Sequence, residues 1–131
     1  MLTKGYLKWI DLRSIEVDMT TRLERLSRFI GTEITQLPGD IYDNLVSYRI
    51  LGFKPWNLEH RTIIVSVEAL NDAVNEGPLR QIMNLPKKGE TVNLNFPLTH
   101  IEELLHTGKM TINSAMHTEV WMVGTGSDEV L

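Results

Sequence analysis

Residues 18–37 read DMTTRLERLSRFIGTEITQL, and the reading of this stretch sets the architecture expected for the chain. Met19, Leu23, Leu26, Ile30 and Ile34 recur at three- and four-residue intervals, with Phe29 and Leu37 widening the stripe. That spacing puts apolar side chains on one face of a helix of about five turns. Asp18, Thr20 and Thr21 are available as caps, and Thr21 with Glu24 fits a capping box, in which each side chain satisfies an exposed backbone amide. Gly31 inside the stripe costs about 1 kcal/mol relative to Ala. Pro38-Gly39 closes the segment.

Upstream, Gly5–Leu12 (GYLKWIDL) alternates imperfectly and reads as a short strand with two apolar faces. Downstream, Asp40–Gly52 is read as a short helix in preference to a strand, and Phe53–His60 as a loop around Pro55. Arg61–Glu68 (RTIIVSVE) is the clearest strand, because its β-branched run from Thr62 to Val65 suits a buried pleat. Val67, Leu70 and Val74 then switch to helical spacing, and Pro78 can open another turn of helix through Leu79, Ile82 and Met83. Glu90–Phe96 alternates as a half-exposed strand. Thr99, with Glu102 at the capping-box position, starts a short helix that Gly108 stops. Met110–Val123 reads as two strands or one bent one.

The expected fold is therefore α+β: a small, mainly antiparallel sheet with one long amphipathic helix and two or three short helices packed on it. One domain over residues 1–123 accounts for the pattern. Residues 124–131 (GTGSDEVL) form a glycine-rich acidic tail expected to be flexible.

Composition narrows the function classes. The 131 residues include 13 Lys+Arg, 17 Asp+Glu and no cysteine, for a net charge of -4. Without cysteine there are no disulfides, thiolate nucleophiles or cysteine-held metal clusters. The acidic balance disfavours broad attraction to nucleic acid or anionic lipid. It is also uneven: residues 1–61 hold nine basic and eight acidic residues, and residues 62–131 hold four and nine. Lys4, Lys8 and Asp11 interrupt the start of the chain as a leader peptide, and no apolar run approaches the roughly 20 residues of a transmembrane helix. A soluble protein, cytoplasmic or virion-associated, is expected.

Three groups of residues could carry function. His100, Glu103 and His106 follow one another at three-residue spacing and share a broad helix face. With His117 they could hold a metal ion and leave one position open for water, as a small metal-dependent hydrolase requires. The simpler reading is a solvated polar face. Arg22, Arg25 and Arg28 could grip phosphates or carboxylates, giving nucleic-acid binding as a further alternative. Asp18 and Glu24 stand four residues before Arg22 and Arg28 and partly neutralise that stripe. Phe53 and Trp56, in an expected surface loop, are candidate interface anchors. Among the serines, none lies in a GxSxG elbow, and Gly108-Lys109 does not open a phosphate loop.

No assembled catalytic motif and no cofactor emerge. The sequence points to a non-enzymatic protein-interaction or assembly module, such as a repeated or accessory subunit of a viral or phage particle, or an inhibitor-type protein. A protein partner or self-association is expected, with Arg22, Arg25, Arg28, Phe53 and Trp56 as its candidate interface.

Overall fold

In the computed structural model, residues 4–39, 41–77, 84–115 and 117–124 are described, with side chains from residue 13 onward. The chain runs α1 (Lys4–Leu26), a 3-10 turn (Ser27–Phe29), β1 (Glu33–Gln36), β2 (Val46–Asn57), β3 (Thr62–Ala69), β4 (Thr91–Pro97), α2 (Leu98–Thr107), β5 (Lys109–Asn113) and β6 (Thr118–Val123). The strands form one six-stranded sheet in the order β4-β3-β2-β1-β6-β5. Every pairing in it is antiparallel.

This corrects the expected small sheet with one long helix and two or three short ones. Among the described residues there are two α-helices and a single 3-10 turn, and the sheet is the larger part of the fold. The helix read over residues 18–37 is displaced toward the N-terminus. It begins at Lys4, taking in the segment read as a strand, and ends at Leu26. Gly31 then takes φ +94, a left-handed value that glycine adopts without a Cβ penalty. Beyond it, Glu33-Ile34-Thr35-Gln36 is the short strand β1. Ile30 and Ile34 match helical spacing by coincidence, because Ile34 is buried from a strand and Ile30 is exposed in the turn. Val46–Asn57, divided in sequence between a helix and a loop, is one long strand. The helical spacing at Val67, Leu70 and Val74 is not used: β3 continues to Ala69, and irregular chain follows. The helical turn at Pro78–Met83 and the tail after Gly124 lie outside the described residues.

The sheet is strongly curled. Neighbouring strands are about 4.8 Å apart, so β4 and β6, four intervals apart, would be separated by roughly 19 Å in a flat sheet. Yet the rings of Phe96 on β4 and Trp121 on β6 meet edge to face at 5.2 Å between centroids. Helix α2 makes the same point. Its ten residues, about 15 Å long, carry the chain from one edge strand, β4, to the other, β5. Leu98, Ile101, Leu104 and Leu105 of α2 are buried, as are Met19 and Leu26 of α1. They form one cluster with Ile34, Tyr48, Ile50, Val65, Val67, Met110 and Trp121. Gly108, at φ +87, ends α2 and donates its backbone N–H to the Leu104 carbonyl at 2.9 Å. No described helix is long and apolar enough to cross a membrane.

Candidate interaction surface

The most unusual local feature lies in β2. Its pairing with β3 slips between Ile50 and Gly52 and again between Pro55 and Asn57. At each slip one residue of β2 has no opposite number on β3, which is the signature of a β-bulge. The two extra residues are Leu51 and Trp56, and both are large apolar side chains in solvent, 43% and 63% exposed. Leu51 continues the outward face of Arg49, whereas Trp56, which would share the inward phase of Val46, Tyr48 and Ile50 in a regular strand, is turned to solvent by the phase shift at the first bulge.

The same strand has an open edge. On its β1 side, the paired residues of β2 are Val46–Arg49. Ile50 then bonds to the turn, donating to the Thr32 carbonyl at 2.9 Å and accepting from Gly31 N–H at 2.8 Å. Described pairing on that side stops there, while β3 accompanies β2 as far as Asn57. Gly52–Asn57 is thus a strand segment paired on one side only among the described residues. Pro55 lacks an N–H and so blunts the edge without removing it. Ile30, 51% exposed, adjoins Leu51 where the turn leaves the sheet. Lys54 and Arg61 are exposed on the hairpin, and no ion pair to either occurs among the described residues.

Of the residues singled out in sequence, Trp56 belongs to this surface, and Phe53 beside it is half-buried against the core. Neither is in a loop. Arg22 faces inward between the helices. Its Nε donates to Glu102 Oε2 at 2.9 Å, Nη2 donates to Glu102 Oε1, and Nη1 pairs with Asp18 at 2.9 Å. The hydrogen bonds to Glu102 hold the guanidinium protonated more firmly than usual; burial opposes them and Asp18 adds to them. Arg28 donates to the Arg25 carbonyl at 3.1 Å and lies over the Phe29 ring, whereas Arg25 is exposed. The three arginines therefore do not present one common basic face.

The histidines are likewise dispersed. His106 packs edge-on against Phe29 with ring centroids 5.5 Å apart, and Glu103 is exposed. His100 is half-buried, its Nδ1 without a hydrogen-bond partner among the described residues. His117 is on the β5–β6 hairpin, 3.1 Å from Glu119 Oε2. No three described His, Asp or Glu residues are grouped so as to hold a metal ion.

Sequence reasoning missed the polar cluster around Glu119. Its Oε1 accepts from Trp121 Nε1 at 3.2 Å and from Gln36 Nε2 at 3.3 Å. The carboxylate thereby satisfies the indole N–H of the buried Trp121. Tyr48 stacks on Trp121 at 5.9 Å and donates to the Tyr42 hydroxyl at 3.4 Å. Burial, reinforced by that hydrogen bond, pushes the Tyr48 phenol well above its ordinary range. This cluster fixes the core's aromatic rings. On the opposite face of the sheet, Arg49 lies between Glu33 at 3.6 Å and Glu68 at 3.4 Å.

Compared with protein-family models, with curated proteins and with solved structures, the chain matches none.

Proposed function

We propose that the protein is a non-enzymatic interaction and assembly module whose working surface is the outer half of the β2–β3 hairpin. The observation that carries this reading is that Leu51 and Trp56, the extra residues at the two bulges, stand in solvent beside an open strand edge. Exposed aromatic and aliphatic anchors next to unpaired backbone suit protein recognition, in which main-chain bonds supply affinity and side chains supply specificity. A repeated subunit of a larger particle, viral or phage, is one form such a module takes; an inhibitor-type accessory protein is another. The arginine face suits phosphate binding less well, because Arg22 is engaged by Glu102 and Asp18.

The test is a Leu51→Asp, Trp56→Ala double variant. Both side chains are largely solvated, so thermal stability should stay within roughly 0.5 kcal/mol of the parent at each site. Sedimentation velocity over a concentration series should show self-association in the parent and its loss in the variant. A parent that stays monomeric at every concentration and binds no partner from its native setting would overturn the reading.

A further inference from the structure

The open edge of β2 has a shape and a charge that point to one occupant, an inference that rests on the interaction-module reading above. We propose that Gly52–Asn57 receives the acidic segment of residues 125–131 from a second copy of the chain as an added antiparallel strand.

Charge comes first. In a chain of net charge -4, this edge carries exposed Lys54, with Arg28 in the neighbouring turn, while Glu59 and Arg61 offset each other at the hairpin end. Residues 125–131 (TGSDEVL) carry Asp128 and Glu129 and no base. An antiparallel register with Glu129 opposite Lys54 brings Val130 and Leu131 to Phe53 and Gly52. The apolar end of the segment then lies against exposed Leu51 and Ile30. An opposite-charge pair across strands contributes about 0.2–1 kcal/mol, so Lys54 and Glu129 would select the register more than supply the affinity.

Direction decides between the chain's own segment and a neighbour's. Strand β6 is antiparallel to β1, and β1 is antiparallel to β2, so β6 leaves Gly124 heading the same way as β2. Gly124 N–H donates to the Glu33 carbonyl at 2.7 Å, level with Arg49 of β2. Continuing in that direction, the chain's own segment would lie parallel to β2 in an otherwise antiparallel sheet, the weaker arrangement. To enter antiparallel it must first pass the length of β2 from Arg49 to Asn57, about 25 Å, which is the whole reach of seven extended residues. A segment from another molecule enters from the hairpin end without that constraint. In such donation each copy gives a strand and receives one, and it builds a closed dimer when the exchange is reciprocal and a larger ring or a filament when it is not.

The absence of native cysteine makes the test clean. Two single variants, Lys54→Cys and Glu129→Cys, are mixed under mild oxidation. The inference expects a disulfide-linked dimer at least tenfold faster than from Lys88→Cys mixed with Glu129→Cys, and it expects a chain ending at Gly124 to sediment as a monomer. A charge reversal, Lys54→Glu, should weaken association, and Glu129→Lys in the same chain should restore it. Equal crosslinking in both mixtures overturns the inference, as does closure within one molecule when both cysteines are placed in a single chain at high dilution. If the shortened chain still associates while the Leu51→Asp, Trp56→Ala variant does not, the occupant is wrong and the interaction surface stands. If the parent is monomeric throughout and binds no other protein, both fall.

Discussion

The bond between the helices offers the most direct measurement. Arg22 of α1 grips Glu102 of α2 through two guanidinium nitrogens, with side chains 18% and 24% exposed. A fully exposed pair contributes at most about 1 kcal/mol, while hydrogen bonds to charged groups in covered positions contribute about 1.5–3 kcal/mol. Four-fifths coverage and two-point geometry place this pair between those limits, at about 1.5 kcal/mol of coupling. The larger penalty of roughly 3–5 kcal/mol for an abandoned buried charge does not apply, because Glu102 retains access to water. Asp18, half-exposed and one helical turn from Arg22, adds no more than about 0.5 kcal/mol. Urea unfolding of the parent, Arg22→Met, Glu102→Gln and the double variant closes the cycle. The coupling should be about 1.5 kcal/mol, and each single variant should melt several degrees lower. It should survive at alkaline pH, since Glu102 holds Arg22 protonated. A coupling below about 0.3 kcal/mol would show that the helices are held by their apolar faces alone, and that Arg22 is available for other work.

Two further outcomes follow from single residues. Tyr48 is neutral and buried, with its folded-state pKa raised above the unfolded value near 10. The folded state therefore binds more protons in alkali, and stability should be level below pH 10 and fall above it by up to about 1.4 kcal/mol per pH unit. Tyr48→Phe should lose this extra slope at little cost near neutrality, as its bond to Tyr42 is 3.4 Å long; an unchanged alkaline slope in urea titrations would contradict the assignment. Gly108→Ala should destabilise by about 1 kcal/mol or more, because φ is +87 with open space around the Cα, so the cost is conformational. A melting temperature equal to the parent's would refute that account.

Local chemistry made some of this molecule readable in sequence. The β-branched run of β3, the alternation of β4 and the glycine stop of α2 are each written in consecutive residues and appear as read. What was hidden depends on contacts distant along the chain. The apolar spacing of Leu26, Ile30 and Ile34 runs across the break between α1 and β1, and only the left-handed turn at Gly31 and pairing with Tyr48 show where the helix ends. In β2, two bulges shift the phase of alternation, and Pro55 looks like a loop residue because a proline in a strand needs a neighbour on one side only. Trp56 could be named as an interface candidate, but Leu51 could not, since Asp40–Gly52 reads as a helix and its exposure follows from the strand alternation that puts Arg49 outward as well. Arg22 looked available because its partner Glu102 is 80 residues away.

The position of β6 has a consequence for how the chain is made. The last of the described strands does not add to an edge; it lies between β1 and β5 and pairs Ile34 with Val123. Until it arrives, β1 lacks its second neighbour and β5, tied to β4 only through α2, has no strand to pair with, so the curled sheet cannot close. Pairing β1 with β6 closes the longest loop in the sheet, from Ile34 to Val123, so folding should be slow for a sheet of this size. During that wait β1 would expose a second open edge, and nascent chains held close together could pair there by mistake.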